Sequence, residues 1–269
     1  MNTFKLGVIG AGFVGGSVIN GFDKNVDQFV VDPKHTKNTI RELIKFDPPV
    51  TFICVPTPET RSGDVDVSVA KKVLSELDVH GYSGVVVIKS TITPKHLTKF
   101  KKAYSLKIVY NPEFLTEANA HNDFKNPHMQ VLGGRWKDCD LVEKAYVKHS
   151  SVRICPTFKT DLITASMLKY TINSFLATKV AFFNELYELY NKSGTSVPWD
   201  SFIDMLKRDP RIGDTHMSVP GPDGKFGFGG HCFPKDTKAL LHYARSENSE
   251  FGILDQAVRS NKKKRDKKL

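Results

Sequence analysis

The sequence predicts an α/β protein in which an N-terminal domain with a parallel sheet is followed by a helical domain built on one long helix. Over roughly the first 155 residues, short apolar runs alternate with helical patterns. Buried parallel strands have this continuous apolar character, and helices connect them. From Asp161 to about Lys192 a single helical pattern continues without proline or glycine. We therefore expect two domains, residues 1–157 and residues 158–269.

Six strands are expected in the first domain. The first begins almost at the N-terminus, and a glycine turn leads from it into a helix with apolar positions at Val14 and Val18. The second strand ends at Asp32, and Pro56 and Pro58 stop the third. The expected strands lie in the segments FKLGVI, DQFVVD, VTFICVPTP, GVVVIKST, LKIVYNPEF and MQVLGG.

The second domain is expected to consist of helices. Thr160 or Asp161 can cap the long helix, and Gly194 can end it. A second helical stretch follows the segment SVPWD, and a third is expected from about Asp236 to Arg245, after a glycine-rich loop. A last helix leads into a basic tail, KKKRDKKL, which is interpreted as a solvated, frayed end.

The charge, the apolar runs and the cysteines of the sequence indicate which kinds of ligand and partner to expect. The formal net charge is +10, which suits anionic ligands such as nucleotides, but no interleaved aromatic residues or binding motif indicate a nucleic-acid partner. No apolar run approaches the length of a transmembrane helix, and the first residues leave no room for a signal peptide, so no membrane association is expected. The four cysteines form no CxxC pair and no metal-ligand spacing, which predicts free thiols in a reducing cytoplasm and no metal site.

The glycine turn after the first strand predicts a Rossmann-type dinucleotide site. Gly10 permits a tight turn, Gly12 lets a pyrophosphate approach the backbone, and Gly15 lets helix and strand pack closely. Asp32, at the end of the second strand, would bind the ribose hydroxyls and repel a 2′-phosphate, which favours NAD over NADP. A structural turn without a ligand is the alternative. Further candidate contacts are Phe13, Val14 and Lys37.

A lysine lies where the long helix should be apolar. At helical spacing Lys169 falls in the middle of the apolar stripe, with Asn173 four residues further on. A buried ammonium is unfavourable unless an anionic group meets it, so this face of the helix is a candidate for electrostatic stabilisation of a substrate. The alternative is a lysine whose methylenes extend outward to water.

The segment GKFGFGGHCFPKD (residues 224–236) places a cysteine beside charged groups. Cys232 precedes Lys235 and Asp236, and a neighbouring lysine favours the thiolate, whereas a carboxylate can act as a base for water. The alternative is a buried structural cysteine in a glycine turn.

Taken together, the motifs resemble those of the UDP-glucose/GDP-mannose dehydrogenase family over nearly the whole chain. The matching segments, in the family's order, are GAGFVG (10–15), FICVPTP (52–58), KST (89–91), NPEFLTEANA (111–120), LKYTIN (168–173), DPRIG (209–213) and GFGGHCFPKD (227–236). Family members have a third, C-terminal α/β domain that covers the nucleotide, and we expect this chain to lack it.

The resemblance implies a four-electron oxidation of the primary alcohol of a nucleotide sugar to the uronic acid, with two NAD, and UDP-glucose is the expected substrate. Cys232 would form a thiohemiacetal and then a thioester, because an aldehyde cannot lose a hydride until a nucleophile makes it tetrahedral. Lys169 and Asn173 would stabilise and orient the substrate, Asp236 and a water held by Thr91 would handle protons, and Glu113 would assist hydrolysis of the thioester.

The resemblance also implies the remaining contacts, with Arg211 reaching the substrate of the neighbouring subunit. Its implied cofactor contacts are Val55, Pro56, Thr57, Ser90, Thr91, Glu117 and Lys235. Its implied substrate contacts are Glu113, Phe114, Leu115, Lys169, Asn173, Arg211, Phe226, Gly227, Phe228, Gly229, Gly230 and Cys232. A homodimer through the long helix is expected because the helix from Asp161 to Lys192 is too apolar to be covered by one small helical domain.

Two other functions stay open at this point. A two-electron 3-hydroxyacid dehydrogenase shares the glycine-rich NAD domain, the helical second domain and a lysine–asparagine pair, but it needs no catalytic cysteine. A cofactor-binding subunit with weakened catalysis is the other alternative, and the presence of Cys232, Lys169 and Asp236 argues against it.

Overall fold

A computed structural model describes residues 3–116 and 119–266. The chain divides into two compact units, residues 1–60 with 65–169 and residues 61–64 with 170–269. Within the described residues no helix is long and apolar enough to cross a membrane.

The first unit contains a seven-stranded sheet with the strand order β2-β1-β3-β4-β5-β6-β7. The strands are β1 (Phe4–Ile9), β2 (Val26–Val31), β3 (Val50–Ile53), β4 (Val85–Ile88), β5 (Lys107–Tyr110), β6 (Gln130–Gly133) and β7 (Thr157–Thr160). All neighbouring strands are parallel except β5 and β6, which are antiparallel. The six expected strands are therefore confirmed. β7 was missed because its sequence, TFKT, has a single apolar residue, Phe158, and that residue is exposed.

Two apolar layers cover the sheet because successive residues of a strand point to opposite faces. Val86 and Ile88 of β4 contribute to one layer, and Val85 and Val87 contribute to the other. The helices on the first face are α2 (Ile40–Phe46), α3 (Ser68–Val79) and α4 (Pro94–Ala103). Those on the opposite face are α1 (Phe13–Gly21), α5 (Ala120–Lys125) and α6 (Trp136–His149).

The long helix is present with its predicted ends. α7 (Leu162–Lys192) follows Asp161, whose carboxylate accepts hydrogen bonds from the backbone N–H groups of Ile163 at 2.8 Å and Thr164 at 3.0 Å. Gly194, just beyond the C-terminus, has a φ of +74°, the left-handed conformation that commonly ends a helix. Residues 162–169 of α7 belong to the first unit and the remainder to the second.

The second unit adds three shorter helices, α8 (Trp199–Leu206), α9 (Cys232–Ser246) and α10 (Gly252–Arg265). α9 was expected to begin at about Asp236, and this was wrong by four residues. Pro234 does not interrupt the helix because it lies in the first turn, where backbone N–H groups have no partner within the helix. Cys232 is thus the first residue of a helix rather than part of the preceding loop.

The interpretation of the basic tail as a frayed end is also wrong as far as Arg265. α10 continues through the basic run, and the buried ammonium of Lys264 lies 2.6 Å from the carboxylate of Glu188. Arg265 lies 2.7 Å from the carboxylate of Asp223. Residues 267–269 lie outside the described part of the chain.

Candidate active site

The glycine turn after β1 has the shape that a pyrophosphate needs. Gly10 has a φ of +92°, and a Cβ there would lie 2.6 Å from the carbonyl oxygen of Cys54. A Cβ on Gly15 would lie 1.8 Å from the carbonyl oxygen of Gly10, so only glycine allows α1 to approach the turn this closely. Around Gly12, by contrast, no described atom lies within 4 Å of the Cβ position, and no described side chain caps α1. The helix N-terminus therefore presents backbone N–H groups to a ligand anion.

Asp32 links the end of β2 to this turn. Its carboxylate accepts hydrogen bonds from the backbone N–H groups of Ala11 at 2.7 Å and Lys34 at 2.8 Å. Burial opposes ionisation, but these hydrogen bonds prevail and lower the pKa of Asp32. A carboxylate has about four acceptor positions, so two donors leave room for ribose hydroxyls. The residues at the turn therefore fit a dinucleotide. Of the further candidate contacts, Phe13 and Lys37 have exposed side chains.

Two further cofactor candidates lie on loops that follow neighbouring parallel strands. Ser90, after β4, donates its hydroxyl to the carbonyl oxygen of Val55, after β3, at 2.6 Å. Thr57 donates in the opposite direction to the carbonyl oxygen of Thr91 at 3.0 Å. These two hydrogen bonds join the loops at the carboxyl end of the sheet, where α/β proteins bind ligands. Glu117, another predicted cofactor contact, lies outside the described residues.

Lys169 is buried, and it is paired. Its ammonium lies 3.0 Å from Oε1 of Glu113, and only 2% of the lysine is exposed. The second carboxylate oxygen of Glu113 accepts a hydrogen bond from the backbone N–H of Leu115 at 2.7 Å, and the Phe114 ring centre lies 5.3 Å from the ammonium. Lys169 therefore does not extend outward to water, and it lies together with the substrate candidates at 113–115.

The Lys169 ammonium lowers the pKa of the Glu113 carboxyl. Burial raises the pKa of the Glu113 carboxyl, but the Lys169 ammonium, the Leu115 N–H and the nearby Lys89 ammonium together lower it below its ordinary value. The pair is thus an ionised carboxylate and an ammonium in a desolvated environment, where electrostatic interactions are strong.

A second buried lysine was not assigned a role from the sequence. Lys89, the first residue after β4, is 4% exposed and donates hydrogen bonds to the side-chain oxygen of Asn111 at 3.0 Å and to its carbonyl oxygen at 3.3 Å. The Tyr146 hydroxyl donates to the same side-chain oxygen at 2.7 Å. Burial lowers the pKa of Lys89 to about 8, although Cys54 and Glu113 partly oppose this. The signal in the sequence was a charge that directly follows the apolar run VVVI.

In the second unit, the structure brings together three of the predicted polar residues. Asp236 is 1% exposed; one carboxylate oxygen accepts from the Asn173 side chain at 2.6 Å, and the other lies 2.5 Å from the Lys235 ammonium. Cys232 is half-buried and lies about one turn before Asp236 on α9. The thiol is therefore at the positive end of the helix dipole, which favours negative charge.

The glycine-rich segment before Cys232 is tightly bent. Gly227 and Gly230 have φ values of +72° and +73°, and Phe228 between them is buried against α7 and α10. Phe226 packs beside Tyr187, with 6.1 Å between ring centres. Arg211 is exposed and is paired with Asp209, so its predicted reach to a neighbouring subunit stays a prediction.

Comparison with known proteins identifies the family. Residues 21–149 match the family model for the NAD binding domain of the UDP-glucose/GDP-mannose dehydrogenase family, and residues 163–263 match the model for its central domain. The chain belongs to this family. The resemblance and the α/β fold predicted from the sequence are therefore confirmed, and the match identifies NAD as the cofactor.

Individual relatives agree with this family. A UDP-glucose 6-dehydrogenase from Rickettsia bellii is 36% identical over 220 residues, which are 79% of this chain and 49% of that protein. A UDP-glucose dehydrogenase structure from Pyrobaculum islandicum has a TM-score of 0.81 at 25% identity. The match covers 97% of this chain and 68% of the Pyrobaculum chain. A 3-hydroxyisobutyrate dehydrogenase from Mycobacterium tuberculosis has a TM-score of 0.73 at 15% identity, covering 97% of this chain and 93% of that one, and it shows a shared fold only. The chain spans about half the length of the curated relatives it matches.

Proposed function

We propose that this member of the family is an NAD-dependent nucleotide-sugar dehydrogenase that oxidises the primary alcohol of UDP-glucose to the carboxylate of UDP-glucuronate. The observation that carries the proposal is Cys232 at the first residue of α9, one turn before the hydrogen-bonded group of Asp236, Asn173 and Lys235. A thiol about one helical turn from a buried carboxylate suits a reaction in which covalent attachment must be followed by hydrolysis.

When NAD is bound, it would supply the hydride acceptor for each of the two oxidation steps. The glycine turn with Gly12 would hold its pyrophosphate, Asp32 would hold the adenine ribose, and the joined loops at Val55–Thr57 and Ser90–Thr91 would line the nicotinamide side. Lys235 is proposed to lie nearer the cofactor than the sugar.

Cys232 and Lys169 carry the covalent chemistry. In the first step the alcohol loses its proton to the Asp236 carboxylate, directly or through a water held by Thr91, and its carbon loses a hydride. The Cys232 thiolate then adds to the aldehyde carbon, and the resulting oxyanion is stabilised by the Lys169 ammonium and oriented by Asn173. Loss of a second hydride from the same carbon gives a thioester.

Hydrolysis completes the cycle. A water attacks the thioester carbon, Glu113 takes the proton of that water, and Cys232 leaves as the thiolate. The lowered pKa of Glu113 keeps this carboxyl ionised, which is the form that a general base must have. The sugar nucleotide would be held by Phe114 and Leu115 and by the segment Phe226–Gly230.

We also propose a homodimer formed through α7. Phe175, Phe182 and Leu189 recur every seven residues along this helix and are 66%, 59% and 65% exposed. A seven-residue spacing is close to two helical turns, so these side chains lie on one face. A row of exposed large apolar residues is typical of a surface that another chain covers. In such a dimer Arg211 would reach the neighbouring subunit's substrate.

The thiols suggest the compartment. All four cysteines are free of disulfides, which supports a location in the reducing cytoplasm. Neither a membrane nor a nucleic acid is needed as a partner for the proposed reaction.

The 3-hydroxyacid dehydrogenase function remains the alternative, because the glycine-rich NAD domain, the helical second domain and the pair Lys169 and Asn173 also fit it. The test incubates the chain with NAD and a panel of UDP- and GDP-sugars and counts NADH formed for each sugar consumed. Two NADH with formation of the uronic acid is the expected result. One NADH with a released aldehyde or ketone would favour the alternative. Binding of NAD without oxidation of any nucleotide sugar would favour a non-catalytic subunit.

A further inference from the structure

Asn261, on α10, holds the backbone of Phe228 in the glycine-rich segment before Cys232. Asn261 is 8% exposed, and its Oδ1 accepts a hydrogen bond from the backbone N–H of Phe228 at 2.6 Å. Its Nδ2 donates to the carbonyl oxygen of the same residue at 3.0 Å. Both backbone polar groups of Phe228 are therefore satisfied by one amide, and only a side chain with a donor and an acceptor can do this.

A second asparagine secures the preceding residue. The backbone N–H of Gly227 donates to Oδ1 of Asn184, on α7, at 2.7 Å. Asn184 is 2% exposed, and its own amide nitrogen is fixed by the carbonyl oxygen of Val180 at 2.8 Å. Residues 227 and 228 are thus held from two different helices.

The glycines in this segment leave room for α10. A Cβ on Gly227 would lie 2.3 Å from Oδ1 of Asn261, and a Cβ on Gly229 would lie 1.8 Å from a guanidinium nitrogen of Arg265. Arg265 in turn donates to the carboxylate of Asp223 at 2.7 Å and to the carbonyl oxygen of Phe226 at 3.4 Å. The close approach of Asn261, together with a φ of +72°, accounts for glycine at position 227.

We propose that Asn261 is a positioning residue for Cys232. Only Gly229, Gly230 and His231 separate the residue that Asn261 holds from the thiol at the start of α9. Two glycines in a three-residue connection allow many backbone conformations, so the fixed point at Phe228 restricts where the thiol can lie. This inference rests on the proposed function of Cys232 as the nucleophile.

The test compares Asn261→Leu, which removes both hydrogen bonds at nearly constant size, with Asn261→Asp, which keeps the acceptor and loses the donor. Ser260→Ala is the matched control, because Ser260 precedes Asn261 on α10 but donates to Glu185 of α7 instead of to the loop. Each variant is assayed for NADH per UDP-glucose, and for the rate at which iodoacetamide alkylates Cys232, followed by peptide mass spectrometry.

We expect Asn261→Leu to slow the thiol-dependent second oxidation about a hundredfold, the effect of a small misplacement of a reacting group. The first oxidation and the KM for NAD should change little, so aldehyde should be released and the NADH count should fall towards one. Asn261→Asp should give an intermediate count, and Ser260→Ala should behave as wild type. The rate at which Cys232 is alkylated should differ from the wild-type rate most in Asn261→Leu, less in Asn261→Asp, and not at all in Ser260→Ala.

The alkylation rate separates this inference from the proposed function because it needs no turnover. If Cys232 in Asn261→Leu reacts at the wild-type rate and the NADH count stays at two, Asn261 does not position the thiol. An equal loss of both oxidation steps would also overturn the inference, because it would indicate a general structural role. If Asn261→Leu does not fold, the Asn261→Asp result decides by the same criteria.

Discussion

The ammonium of Lys169 lies 3.0 Å from the carboxylate of Glu113, and both side chains are buried. One group is proposed to stabilise an oxyanion and the other to accept a proton from water, so each reactive group is the counter-ion of the other. Such a pair is strongly coupled, because removal of one partner leaves an uncompensated buried charge.

Single substitutions in this pair should therefore be more destabilising than the double substitution. Lys169→Met should lower the free energy of unfolding by about 3–5 kcal/mol at neutral pH, since it leaves the Glu113 carboxylate buried without its cation. Glu113→Gln in the Lys169→Met background should recover most of this loss. Urea unfolding of the wild type, the two single variants and the double variant measures the coupling. Additive effects of the two substitutions would show that the pair is not coupled.

Lys89 should make the free energy of unfolding increase with pH in the alkaline range. Burial lowers its pKa from 10.5 to about 8, so the native state releases this proton first as pH rises, and between these values the unfolded state binds more protons. Stability from this group therefore increases as pH rises from about 8 to about 10.5, by an amount on the order of 3 kcal/mol. Unfolding of the wild type and Lys89→Met at several pH values should show this rise in the wild type alone. Parallel pH profiles would contradict it.

Asp32 should select NAD over NADP. Its carboxylate is fixed by the Ala11 and Lys34 N–H groups at the position expected for a ribose contact. Asp32→Ala should weaken NADH binding about tenfold or more, the equivalent of one hydrogen bond to a charged group, and should reduce the discrimination against NADPH. Fluorescence titration with NADH and NADPH measures both affinities. Asp27→Ala, an exposed position on the same strand, is the control and should leave both unchanged.

The exposed face of α7 should control the oligomeric state. Phe182→Glu places a charge in the middle of the row formed by Phe175, Phe182 and Leu189, and burial of an unpaired charge in an interface is unfavourable. Light scattering at micromolar concentration should give a dimer for the wild type and a monomer for this variant. Ile253→Glu, on the exposed side of α10, should remain a dimer. A wild type that is monomeric at this concentration would contradict the proposed interface.

The strands and the long helix could be predicted because apolar patterning determines them. β4 consists of the run VVVI, and Asp161 and Gly194 mark the two ends of α7 with side-chain and backbone chemistry that a sequence displays. β7 was missed because a half-exposed edge strand such as TFKT carries almost no apolar signal. The start of α9 was placed too late because Pro234 suggests a loop, although proline is tolerated in a first helical turn.

The site could be predicted as a set of residues but not as a set of contacts. Lys169 was recognisable as a charge in an apolar stripe, whereas its partner Glu113 lies 56 residues away in sequence. Asn261 gave no signal, because it lies in a polar, basic run that is typical of a solvated surface. Its importance depends on tertiary packing, which brings α10 against the glycine-rich segment.

The NADH yield of Cys232→Ser, measured with the protein in excess over UDP-glucose, tests the central claim most directly. The first oxidation does not use the thiol, whereas a serine hydroxyl is far less ionised and leaves less readily than a thiolate. The wild type should release two NADH for each sugar, and Cys232→Ser should release about one and accumulate the aldehyde or a slowly hydrolysed adduct on residue 232 visible by intact mass. Formation of UDP-glucuronate by Cys232→Ser at a rate near that of the wild type would show that the cysteine is structural and that the proposed covalent mechanism is wrong.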